Sequence, residues 1–181
     1  MKVDGIRGWA VENAKSIADM LTGVRFFLAL LIFLCAVFGE ASLLPLVVCL
    51  TLLGWTTDVI DGKIARLDPL GRRTWVGDLD FAVDMFMVYS GLLYFITARF
   101  VPFWPFFLYM LYAGATAFIW TKKSVIMAQA APIAAMPIIF SFLHAPLWGW
   151  IFLGWIALAL ALNWKRFMQE IEEFIQDVEE G

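Results

Sequence analysis

Six apolar runs, each about 20 residues long, lie at positions 19–39, 43–65, 79–98, 101–120, 125–143 and 146–164. A helix needs about 20 predominantly apolar residues to cross the hydrocarbon core of a bilayer. The expected architecture is therefore an all-α integral membrane protein with six transmembrane helices and short links. Composition agrees, because 62% of the 181 residues are hydrophobic and only 16% are charged, against about 25% charged in a globular domain. The first run carries no small-residue cleavage site and is followed by five more, so it reads as a retained helix rather than a removed signal peptide.

Lys and Arg accumulate on the cytoplasmic side of a membrane protein. With six spans, the N-terminus, the link between spans two and three, the link between spans four and five, and the C-terminus share one side. Of the thirteen Lys and Arg residues, all but Arg99 fall there. That side and both termini are expected to be cytoplasmic, as in a multi-pass protein of a prokaryotic inner membrane. The formal net charge of −3 gives no sign of a nucleic-acid partner. Cys35 and Cys49 sit in apolar runs away from His144, so neither a disulfide framework nor a metal–thiolate site is suggested.

The ends differ from the middle. Residues 1–18 place Val3, Ile6, Trp9, Asn13 and Ile17 at near-helical spacing, as expected of an amphipathic helix in the cytoplasmic interface. Residues 19–164 form the transmembrane body. Residues 165–181 carry Phe167, Ile171, Phe174, Ile175 and Val178 on one stripe and read as a cytoplasmic helical tail continuing the last span.

The unusual feature is where carboxylates fall. Residues 43–57 are uncharged, and Asp58 and Asp61 follow at once; Asp80 and Asp84 open the next long apolar run. Carboxylates at the edge of hydrocarbon are costly and tend to mark function. Asp58 and Asp61 are three apart and Asp80 and Asp84 four apart, so each pair shares a helix face. Two antiparallel helices joined by a short loop, with Pro69 and Gly71 as turn residues, can aim all four at one spot. Four anions that close need counter-charge, which Arg66 and a bound cation would supply. An all-oxygen ligand set favours Mg2+ or Mn2+ over zinc, and four carboxylates have capacity for two ions about 4 Å apart.

This stretch resembles the signature of the CDP-alcohol phosphotransferase (CDP-alcohol phosphatidyltransferase) family of phospholipid-synthesis enzymes. The matching residues are Asp58-x2-Asp61-Gly62-x2-Ala65-Arg66 and then Asp80-x3-Asp84. The segment DMLTGVR, residues 19 to 25, resembles the one preceding the first span in many members, with Asp19 where Asn is usual. One position departs: the signature glycine would fall at Val76, and this chain has Gly77 instead. A one-residue slip turns a helical position by about 100°.

The resemblance implies transfer of a substituted phosphoryl group from a CDP-linked donor to an alcohol, with release of CMP. Asp58, Asp61, Asp80 and Asp84 would hold the metal ions, and Asp84, one turn deeper than Asp80, would be the general base. Asp58, Gly62, Ala65 and Arg66 would bind the CDP portion. The small residues leave room for base and ribose, and Arg66 has paired donors for a diphosphate. A site at the membrane edge suits CDP-diacylglycerol as donor. The expected acceptor is glycerol 3-phosphate, with inositol phosphate, serine or phosphatidylglycerol as alternatives. Arg25, Lys122 and Lys123 are the candidate acceptor contacts, and the family likeness suggests a homodimer. A divalent-cation transporter built on the same carboxylates is the rival of a different class. A catalytically dead scaffold is a third reading, and retention of all four aspartates opposes it.

Overall fold

The computed structural model describes residues 13–65, 74–119 and 123–179, and every element among them is helical. Helix α1 spans Ala14–Phe38. A short 3-10 turn at Ala41–Leu43 leads into α2, Leu44–Ala65. A four-residue helix α3, Trp75–Asp78, precedes α4, Asp80–Thr97. Then come α5, Phe103–Ile119, α6, Lys123–His144, and α7, Pro146–Glu179. The interfacial helix expected over residues 1–18 lies mostly outside the described residues, as do Arg66, Pro69, Gly71 and Lys122.

Among the described residues, five stretches are long and apolar enough to cross a membrane: Ala14–Phe38, Ala41–Ile64, Asp80–Thr97, Val125–His144 and Pro146–Trp164. The expected fourth span is the exception. Helix α5 has 17 described residues, about 25 Å of helix against a hydrocarbon core of about 30 Å. The apolar side chains of these helices are not confined to the interior. Phe27, Phe38, Leu108 and Leu147 are all exposed, as surfaces facing lipid rather than water would be.

Helix α1 packs along both α2 and α4, and this trio carries the site. Helices α6 and α7 form a pair against α2 and α4, and α5 lies on α6. The trio is held by Ala29, Ile32 and Ala36 of α1, Val47 and Val48 of α2, and Tyr94 and Phe95 of α4, all fully buried. Alanine and valine at these positions let the helices approach closely, which matters because lipid tails offer no hydrophobic drive for association.

Local chemistry ends the helices where the trio needs it. Gly39 takes φ 64° after α1 and donates its N–H to Cys35 O at 3.1 Å. A Cβ there would sit 3.2 Å from Thr97 O, so glycine serves both the left-handed cap and the approach of α4. The buried Tyr94 hydroxyl donates to Glu40 O at 3.0 Å, tying the far end of α4 to the α1–α2 turn. Near the C-terminal end of the chain, α7 continues past the expected span to Glu179 but changes direction at Asn163, whose φ of −129° and ψ of 22° are not helical. Asn163 Nδ2 donates to Ala159 O at 2.8 Å at this kink.

Candidate active site: four aspartates around a buried arginine

The site lies where the C-terminal end of α2, the N-terminal end of α4 and the N-terminal half of α1 meet. Helical spacing presents Asp58 and Asp61 from α2 and Asp80 and Asp84 from α4, and all four carboxylates converge on one guanidinium, that of Arg25. Its Nη2 lies 3.2 Å from Asp58 Oδ1 and also contacts Asp61 Oδ2. Its Nη1 donates to Asp80 Oδ1 at 3.0 Å and to Asp84 Oδ1. Thr22, one turn earlier on α1, donates from Oγ1 to the same Asp80 oxygen at 3.1 Å.

Exposure divides the cluster. The side chain of Arg25 is 0% exposed and that of Asp61 7%, whereas Asp58, Asp80 and Asp84 are 45%, 39% and 33% exposed. Arg25 and Asp61 form a closed floor, and the other three carboxylates form an open rim. One oxygen from each of Asp58, Asp80 and Asp84 lies within 4.8 Å of the other two. Two like charges at that separation repel by roughly 3 kcal/mol at an effective dielectric constant of about 20. As ionised groups, these four carboxylates and one guanidinium sum to −3. Asp80 gains help from its place in the first turn of α4, where the helix dipole favours an anion. Asp58 and Asp61, near a helix C-terminus, have no such help.

The rim fits a hard divalent cation. Its donors are carboxylate oxygens, it gathers an excess of negative charge, and it opens outward. Asp58, Asp80 and Asp84 are placed to hold such an ion.

Sequence reasoning gave Arg25 to the acceptor and the counter-charge to Arg66. The structure puts Arg25 inside the carboxylate cluster, and Arg66 lies outside the described residues. The signal was present in the sequence: Arg25 is the only charged residue between Asp19 and Glu40, and Thr22 stands three residues before it on the same face. Gly62 is half-buried on α2 directly after Asp61, while the side chains of Ala65 and Lys123 are outside the described set. Gly54, one turn before Asp58, was not singled out. A Cβ there would collide with Sδ and Cε of Met87 on α4 and would stand 3.8 Å from Arg25 Cγ. Its absence lets α2 and α4 close around the arginine.

The displaced glycine has a local explanation. Gly77 belongs to α3, and Leu79 separates α3 from the helix that bears Asp80 and Asp84. The offset therefore falls ahead of α4 and leaves the aspartate pair unrotated. A Cβ on Gly77 would collide with Lys15 Nζ and stand 3.2 Å from Thr74 Oγ1. Thr74 caps α3 by accepting from Gly77 N at 3.2 Å and donates to Asp19 Oδ1 at 2.8 Å, while Lys15 pairs with the same Asp19 oxygen at 3.3 Å. Asp19 thus ties α1 to α3 beside the site.

Beside Asp58 an apolar cleft of about 330 Å³ runs between α2 and α7, walled by Trp55, Val59, Trp155, Ile156 and Leu160 and reaching the Asn163 kink. Trp155 Nε1 donates to Thr56 Oγ1 at 2.9 Å, tying this wall of the cleft on α7 to α2.

No curated protein and no solved structure matches this chain. A family model described as CDP-alcohol phosphatidyltransferase matches residues 15–164, a range that takes in α1 from its second residue, both aspartate pairs and the α7 kink. The chain belongs to the CDP-alcohol phosphatidyltransferase family and is a membrane-embedded transferase that forms phosphodiester bonds.

Proposed function

We propose that this protein transfers a phosphatidyl group from CDP-diacylglycerol to glycerol 3-phosphate and releases CMP, on the cytoplasmic face of its membrane. The observation that carries the reading is the open rim of Asp58, Asp80 and Asp84, with three carboxylate oxygens within 4.8 Å of one another at one end of the bundle. These residues, with Asp61, would hold divalent metal, two ions of Mg2+ or Mn2+. When bound, the metal supplies positive charge against the donor's diphosphate.

The chain's own residues do the rest. Asp84 accepts the proton of the acceptor hydroxyl as that oxygen forms a bond to the lipid-bearing phosphorus, and the bond to the CMP oxygen breaks. Asp84 is partly exposed and faces the rim, so a hydroxyl can approach it. Asp58, Gly62, Ala65 and Arg66 are assigned to the CDP portion. The acceptor phosphate is assigned to Lys122 and Lys123; Arg25, the third acceptor candidate read from the sequence, has both Nη donors engaged by the four carboxylates. The apolar cleft opening beside Asp58 suits the lipid part of the donor, because it joins the rim to the lipid-facing surface of α2 and α7.

The reading keeps six spans, with α5 as the short fourth one, cytoplasmic termini and a homodimer. A cation transporter would gain nothing from a fully buried guanidinium among its ligands, since Arg25 repels the ion it would pass.

The test is CMP release by purified protein supplied with CDP-diacylglycerol, Mg2+ or Mn2+, and each of glycerol 3-phosphate, inositol phosphate, serine and phosphatidylglycerol. Release with glycerol 3-phosphate alone supports the full proposal. Release with another acceptor corrects the acceptor, and no release with any of them, alongside metal flux into liposomes, rejects the enzyme reading in favour of transport.

A further inference from the structure

We propose that Arg25 is a resident counter-ion: it holds the four aspartates together before metal arrives and competes with metal for them. The proposal rests on the reading of the rim as a divalent-cation site. Four carboxylates from two helices meet at one end of the bundle, and a guanidinium from a third helix reaches all four. Arg25 is fully buried in a chain that otherwise keeps its cations at the ends of its apolar runs. Burying an arginine is costly unless it is paired. Its two terminal nitrogens are paired, but its Nε has no hydrogen-bond partner among the described residues. The side chain is thus placed to meet carboxylates rather than to satisfy itself.

Two consequences follow from this geometry. Without a cation at the centre, the carboxylates would push α2 and α4 apart, so Arg25 keeps the site assembled when metal is absent. A metal ion entering at the rim must share Asp58, Asp80 and Asp84 with a guanidinium that already contacts all three. Arg25 therefore weakens metal binding while preserving the shape of the site. Asp61, nearly closed off and bound to Arg25, becomes a ligand only when the arginine gives it up. Arg25 acts through the aspartates and is a positioning residue.

The test uses full-length protein in detergent, comparing the parent with Arg25→Gln and Arg25→Lys. Mn2+ binding is read from loss of the free-ion electron paramagnetic resonance signal, and thermal unfolding is followed in EDTA and in saturating Mn2+. Removing a positive charge a few ångströms from the ion should tighten Mn2+ binding to Arg25→Gln by at least about 10-fold. The same variant should unfold about 5–10 °C below the parent in EDTA, with the gap closing when Mn2+ is saturating. Arg25→Lys keeps the charge but loses the fork, so it should lie between the two in both measurements.

A merely structural role for Arg25 would weaken Mn2+ binding along with the fold, and that result overturns the proposal. Equal Mn2+ affinity in parent and Arg25→Gln overturns it too, while leaving the metal site intact. Absence of saturable Mn2+ binding in parent and variants alike overturns the metal reading itself. If Arg25→Gln does not fold, Arg25→Lys decides, and an affinity indistinguishable from the parent's goes against the proposal.

Discussion

Replacing Asp84 by Asn isolates its proposed role as a base, because the change removes proton-accepting capacity with almost no change in shape. The amide oxygen can still accept from Arg25 Nη1, which in the native site contacts Asp84 Oδ1. The remaining aspartates, Asp58, Asp61 and Asp80, still surround the guanidinium, so Arg25 stays paired and the trio of helices should hold. A stability change within about 1 kcal/mol is expected, since one of four anions is lost from a cluster that already carries excess negative charge. The chemical step should suffer far more. Loss of a positioned general base costs about 10²–10⁴-fold, equivalent to about 3–5 kcal/mol of activation free energy. The assay is initial-rate CMP release at saturating donor, acceptor and metal, with thermal unfolding in detergent as the folding control. Metal concentration must be titrated separately, since Asp84 also lies on the rim. If a folded, metal-saturated Asp84→Asn protein retains activity within about 10-fold of the parent, Asp84 is not the base.

Stripping the protein with EDTA should abolish CMP release, and Mg2+ or Mn2+ should restore it; restoration by Zn2+ alone would contradict the all-oxygen donor set. Gly54→Leu should lower stability by about 1–3 kcal/mol and depress activity, because its side chain would displace the buried Met87 next to Arg25; thermal unfolding and CMP release check both halves. Tyr94→Phe should lose about 1 kcal/mol, or about 2–4 °C in the unfolding midpoint, from the missing bond to Glu40 O. The tyrosine lies far from the aspartates along α4, so specific activity of that variant should be unchanged.

How much of the protein could be read from its residues follows from the range of the forces involved. The apolar runs, the helical class and the pairing of aspartates on shared faces are local properties. They depend on hydrocarbon thickness and on 3.6 residues per turn, so Asp58 with Asp61 and Asp80 with Asp84 were legible at once. The family signature covers the same local stretch. Arg25 is different, because it meets Asp80 across 55 residues of sequence, and only the packing of α1 between α2 and α4 makes that contact. Periodicity identifies a face, not the neighbour that the face will find. The effect of the displaced Gly77 was likewise open until α3 proved to be a separate short helix ahead of Leu79. A residue offset can be absorbed in a turn or propagated along a helix, and that choice is made by contacts such as Lys15–Asp19–Thr74. The sequence by itself therefore determined the all-helical, membrane-embedded class and the carboxylate faces, through short-range geometry and the cost of charge in hydrocarbon. Tertiary structure alone decided which cation sits among the carboxylates, because that depends on how three helices distant in the chain pack.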